Sequence, residues 1–299
     1  MSLLFSLCIS FSSYAYGPGD VYKTDDSLIA TGEASIQDNL DNYGIVPVHS
    51  RYYYNQLPEY RQQAYNKIYQ AILHGDEVVS IGGNLTKEDL HYIWIALDND
   101  NPDIYNPLQH RLTYHESNGK LSDITYYTGI SADIITKYQQ VHTLGEEAVK
   151  GILNDCSQDL SQRNIIKHIY DYVVQNMEYD INNFTQDISG ALLNKKGVCV
   201  GYAKEFQYLC NLAGIDCTLV TGFIEVDGVM ELHAWNLVYL NDGTYFYTDP
   251  TFGDAYANGT VWYKYLESAS LFETHVISDN TYAESGITAE TPVLFTYPS

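Results

Sequence analysis

Glu231-Leu232-His233-Ala234-Trp235-Asn236-Leu237-Val238-Tyr239-Leu240-Asn241-Asp242-Gly243-Thr244-Tyr245-Phe246-Tyr247-Thr248-Asp249 reads as two strands around a tight turn. Apolar and β-branched residues flank Asn-Asp-Gly, a three-residue hairpin loop with glycine in the left-handed position. That loop pairs Leu240 with Thr244 and sets His233 opposite Thr251. Asp249 then points to the same face as His233, one diagonal step away. Diagonal neighbours lie roughly 7–8 Å apart, within side-chain reach. A two-residue loop would shift the register by one and send Asp249 to the other face. The length of one turn thus decides whether an imidazole and a carboxylate can meet on an antiparallel sheet.

A third group comes from Gly197-Val198-Cys199-Val200-Gly201-Tyr202-Ala203. Apolar residues at 202, 203, 206, 209, 210 and 213 recur at helical spacing, and Gly214 fits a C-terminal stop. Cys199 therefore sits at or just before a helix N-terminus, where partial positive charge favours a thiolate and free N–H groups can hold an oxyanion. Gly197 and Gly201 leave room for a sharp turn and close substrate approach. The thiolate is the reactive form of cysteine. An imidazole from His233 keeps it ionised, and a carboxylate from Asp249 fixes the imidazole tautomer. The three types suffice for acyl transfer through a thioester.

The Cys199 segment, His233-Ala234-Trp235-Asn236 and Thr248-Asp249-Pro250-Thr251, in this order, resemble the microbial branch of the transglutaminase-like superfamily of cysteine enzymes. The likeness covers residues 164–254, including the upstream helical stretch around Ile165–Val174 and Tyr179-Asp180. It implies a papain-like core, with Cys199 as nucleophile, His233 as base and Asp249 as orienting acid. Tyr179 and Trp235 become candidates for substrate or oxyanion contact. Val200 and Phe252 depart from the family's commoner residues without touching the three. Each residue also has a bland reading. Cys199 can be a small buried hydrophobe, His233 a satisfied core histidine and Asp249 the end of a strand in an Asx-turn.

The chain has 299 residues, 45% hydrophobic, enough for one large or two modest cores. Its 38 acidic against 15 basic residues give a formal charge of −23, which argues against nucleic acid or an anionic membrane as partner. Residues 1–15 form an apolar run ending in Ser13-Tyr14-Ala15, too short to span a bilayer and read as a secretory signal lacking its basic start. No later segment reads as transmembrane. Few cysteines in so long a chain exclude a dense disulfide framework, and none has zinc-finger spacing. Cys210 and Cys217 either bridge a helix end to the next strand or stay reduced in the core.

Residues 16–50 read as a linker or extended lead-in and 51–130 as a small α+β unit of unassigned role. Within it, helices are expected at 58–74 and from a capping box at Thr86 to about Leu97, broken by Asn99-Asp100-Asn101-Pro102. Those residues lack the glycine and glutamate of a calcium loop. Asn118-Gly119 marks a hairpin between 111–116 and 121–127. Residues 131–299 are expected to be the catalytic domain, with helices at 131–153 and 161–178 and strands near 217–225, 232–240, 244–249 and 261–266. The expected class is α+β, a helix packed on an antiparallel sheet. The expected function is cysteine-dependent acyl transfer on protein or peptide amides, with no metal or organic cofactor. The rival is a non-catalytic extracellular binding module on the same fold.

Overall fold

The structure, a computed structural model, describes residues 49–103, 111–181, 187–226, 228–255, 274–279 and 293–298. The apolar run at 1–15, the lead-in up to 48 and the strand expected near 261–266 lie outside these residues.

The N-terminal part follows local signals. Pro58 caps α1 (Glu59–His74), and Gly75 at φ 75° ends it. The helix buries Ala64, Tyr65, Ile68 and Ile72, one stripe at helical spacing. β1 (Val78–Gly82) follows. The Thr86 hydroxyl accepts from the Asp89 N–H at 3.0 Å, and the Asp89 carboxylate accepts from the Thr86 N–H at 2.7 Å. This capping box opens α2 (Lys87–Asp100). Asn118 and Gly119, with φ of 50° and 72°, turn β2 (Arg111–Ser117) into β3 (Lys120–Tyr127). The three strands form a sheet in the order β1-β3-β2.

The helix α2 runs three residues beyond the expected end because tertiary bonds use its last turn. The Asp100 carboxylate accepts the N–H groups of Tyr53 and Tyr54 at 3.0 and 2.8 Å. The Asn99 carbonyl accepts from Gln207 at 2.8 Å.

The larger part places α3 (Ala132–Asp155), α4 (Gln162–Asn176) and the short α5 (Ile188–Asn194) around α6 (Cys199–Leu212). Between them β4 (Glu178–Tyr179) and β5 (Lys196–Gly197) pair in parallel. The helix α6 packs on a four-stranded sheet of order β8-β7-β6-β9, built from β6 (Asp216–Val226), β7 (Val229–Tyr239), β8 (Tyr245–Thr248) and β9 (His275–Ile277). A last helical turn, α7 (Pro250–Ala255), follows β8. The molecule is thus α+β, a buried helix on an antiparallel sheet.

Almost every residue of α6 is buried, including Tyr202, Phe206 and Leu209 at 0% exposure. Full burial of such side chains contributes about 1.5–3 kcal/mol each. Several of its polar residues are buried too, and some of them tie the helix to its surroundings. Lys204 Nζ meets Asp98 at 2.6 Å, tying α6 to α2 across the two parts. Asn211 accepts the Cys217 N–H at 3.1 Å. Cys210 and Cys217 are both free thiols and fully buried.

Candidate active site

Two backbone features bring the site together. The first is the hairpin register. Asn236 pairs with Thr248, Val238 with Phe246 and Tyr239 with Tyr245, and the Leu240 N–H bonds the Thr244 carbonyl at 2.8 Å. Gly243, at φ 83°, closes the three-residue loop. This is the register that puts His233 and Asp249 on one face. The second is a strut. Asn236 Nδ2 donates to the Ala203 carbonyl at 2.9 Å, joining β7 to the first turns of α6. One residue is three places after His233 and the other four after Cys199, so the bond fixes the spacing of strand and helix close to both.

His233 Nε2 lies 2.7 Å from Asp249 Oδ2. The Cys199 thiol acts on the same ring and adds to the rise in its pKa. Since Nε2 is engaged by the carboxylate, Nδ1 is the nitrogen left for the sulfur. Cys199 opens α6 directly after Val198, which offers no side-chain cap, so the N–H groups of the first turn retain their electropositive end. Cys199 is 4% exposed, His233 7% and Asp249 0%.

Electrostatics follow from this burial. Desolvation opposes protonation of His233, but Asp249 and then Cys199 outweigh it and push its pKa up to about 10. Desolvation also opposes ionisation of Asp249. His233 first and His275 second overturn that and hold the carboxyl well below its ordinary range. Asp249 further accepts the N–H groups of Thr251 at 2.9 Å and Phe252 at 3.2 Å on Oδ1, so Phe252, expected to stand clear of the three, touches both Asp249 and, ring to ring at 5.4 Å, His233. The arrangement keeps a carboxylate charged in a dry place and an imidazole protonated beside a thiol.

Tyr179 sits on β4, level with Gly197 of β5, and its phenol is pushed upward by burial first and by Cys199 next. It therefore lies at the edge of the cysteine's surroundings. Trp235 does not line an open cleft. It is fully buried, stacked on the His233 ring at 6.1 Å and edge-on to His275 at 4.8 Å. Strand alternation puts it on the same face as His233, behind the imidazole.

Sequence reasoning missed His275, whose Nε2 lies 2.9 Å from Asp249 Oδ2. No motif surrounds it; only three residues form its strand. Among the described residues, His233, Asp249 and His275 offer three donor atoms within 4.8 Å of one another, the set able to hold a metal ion. Ligand atoms around four-coordinate zinc stand roughly 3.3 Å apart, given metal–nitrogen bonds of about 2.0 Å. Both imidazoles here approach one carboxylate oxygen at 2.7 and 2.9 Å, the spacing of hydrogen bonds.

Comparison with known proteins bears on the same region. The sequence model of the Transglutaminase-like superfamily matches residues 147–250, the stretch from α3 through α6 to the start of α7. The kyphoscoliosis peptidase of Mus musculus is 28% identical over 144 residues, 43% of this chain and 21% of that protein. Its Homo sapiens counterpart is 29% identical over 145 residues, 44% of this chain and 21% of that protein. The chain thus spans about a fifth of the length of these relatives. Among solved structures, the periplasmic domain of TgpA from Pseudomonas aeruginosa bound to ethylmercury is 15% identical, covering 47% of this chain and 63% of that one, with a TM-score of 0.32. The transglutaminase-like stretch contains Cys199, His233 and Asp249 and stops short of His275. No helix among the described residues is long and apolar enough to cross a membrane.

Proposed function

We propose that this chain is a cysteine-dependent acyl-transfer enzyme acting on protein or peptide amides. The observation that carries the reading is the 2.7 Å bond between His233 and Asp249, with Cys199 close enough to raise the same ring's pKa. The Cys199 thiolate attacks the amide carbonyl, and the oxyanion is met by the Cys199 N–H at the α6 terminus. The His233 imidazolium gives its proton to the leaving amine as the C–N bond breaks, and a thioester remains. The neutral imidazole then takes a proton from the second nucleophile, which displaces the sulfur. Asp249 stays ionised throughout and holds the ring.

Water as second nucleophile gives proteolysis or amide hydrolysis, and a lysine amine gives a cross-link. We favour hydrolysis; peptidase-named relatives support it. Residues 131–299 are the unit we assign to catalysis and 51–130 a supporting unit. The apolar run at 1–15 supports export. Incubation with a casein-like substrate and an isotope-labelled primary amine, followed by mass spectrometry, tests the choice. Shortened peptides mark hydrolysis, and amine-tagged glutamine marks transfer. Neither product, with Cys199 alkylated no faster than in the denatured chain, marks a non-catalytic module.

A further inference from the structure

The Asp249 carboxylate accepts four hydrogen bonds, each from a different residue. Thr251 and Phe252 donate backbone N–H groups to Oδ1. His233 and His275 donate from Nε2 to Oδ2. A carboxylate offers about four lone-pair directions, so this one is saturated. His275 Nε2 is its donating nitrogen because an ionised carboxylate only accepts, and Nδ1 faces the Thr274 hydroxyl at 3.0 Å.

The seat of His275 is built for this contact. The strand β9 pairs with β6, with His275 opposite Ile224 and Ile277 opposite Gly222. Gly222 is also the partner of His233 across β7. His275, Ile277 and His233 therefore share a face, and the His275 side chain reaches Asp249 across the row that Gly222 leaves bare. A Cβ on Gly222 would lie 2.1 Å from the Val276 carbonyl oxygen, 2.8 Å from the Ser278 nitrogen and 2.8 Å from the Trp235 ring. Any side chain there would push β9 away. The His275 ring is further held edge-on by Trp235 at 4.8 Å and Phe252 at 5.2 Å. Beyond the strand, Asp279 accepts the N–H groups of Leu294 and Phe295 at 2.6 and 2.8 Å. Phe295 enters the core of the N-terminal part.

We propose that His275 is a positioning residue of the acyl-transfer site, the second imidazole that holds Asp249 in line with His233. This rests on the cysteine-enzyme reading above. Without the His275 donor, one buried lone pair of Asp249 has no partner. The carboxylate regains one only by swinging away or by admitting water, and either weakens its hold on His233. The site is then completed by a strand outside the transglutaminase-like stretch, and that strand is tied through Asp279 and Phe295 to the N-terminal part.

The test is the iodoacetamide alkylation rate of the Cys199 peptide, followed by mass spectrometry at one neutral pH in the whole chain. Wild type is compared with His233→Ala, His275→Phe and His275→Gln. Phenylalanine keeps the ring packing and deletes the donor; glutamine returns an N–H near the Nε2 position. His275→Phe is expected to slow alkylation about tenfold, the size of one lost hydrogen bond to a charged group. His275→Gln is expected to restore most of the rate. Wild-type speed in His275→Phe, while His233→Ala is slow, overturns the role of His275 and leaves the enzyme reading standing. Equal failure of the glutamine and phenylalanine variants also overturns it, since the donor is then irrelevant. A wild-type rate no faster than that of His233→Ala brings down both readings together.

Discussion

Asp100 and Asp249 are both fully buried, and both accept two backbone N–H groups. Burial pushes the Asp100 carboxyl up to about 8, against the pull of the Tyr53 and Tyr54 N–H groups. The same burial acts on Asp249, yet its carboxyl is held far below the ordinary range by His233 and His275. Backbone donors alone do not offset the loss of water; a charged imidazole does. One aspartate serves as a cap that tolerates a proton, and the other is a fixed anion that a proton would disarm.

The largest effect expected along this contrast is at the nucleophile. Cys199→Ala should abolish turnover while leaving the fold intact, as read by peptide release and circular dichroism. Next is the anion itself. Asp249→Asn should lower kcat by about 10²–10⁴-fold, because an amide no longer fixes the tautomer or steadies the imidazolium. Asp100→Asn, at equal burial, should leave kcat within about threefold. Comparable losses at both positions would erase the distinction.

Stability should separate the two by pH. His233 binds its proton more tightly in the fold, so its contribution is full below its ordinary 6.5 and lost as pH rises towards about 10. Asp100 and Glu205, raised by burial to about 8 and about 7, also favour the fold while protonated and weaken it as pH climbs through those values. Asp249, shifted downward, contributes above its ordinary 3.8 and loses that as pH falls below it. The thermal midpoint should therefore peak at mildly acidic pH and decline towards pH 9. Asp100→Asn should flatten that decline between pH 5 and 8, and a scanning calorimeter would read both.

The smallest expected effect is at the strut. Asn236→Ala removes one buried hydrogen bond to Ala203 and should cost about 1–2 kcal/mol by chemical denaturation. It should slow Cys199 alkylation less than His275→Phe does.

Much of this was legible before any coordinates. The capping box at Thr86, the Asn118-Gly119 turn and the Asn241-Asp242-Gly243 loop are local features, each fixed by residues within a turn of one another. The last of these set the register that carries Asp249 to His233. β1, α5, the β4–β5 pair and β9 were not legible. Each is short, and its pairing partner or packing surface is far away in sequence. The end of α2 was misplaced for the same reason, since Gln207 and Tyr53 hold its last turn from outside.

The sequence by itself determined the chemical types, Cys199, His233 and Asp249, and the turn that aligns two of them, because side-chain identity and hairpin register are local properties. Only the tertiary structure decided that His275 joins Asp249, that Asn236 spaces strand from helix, and that Asp100 and Asp249 titrate in opposite directions. Those outcomes depend on which distant groups share a dry neighbourhood, and desolvation acts on the assembled surroundings, not on the order of residues along the chain.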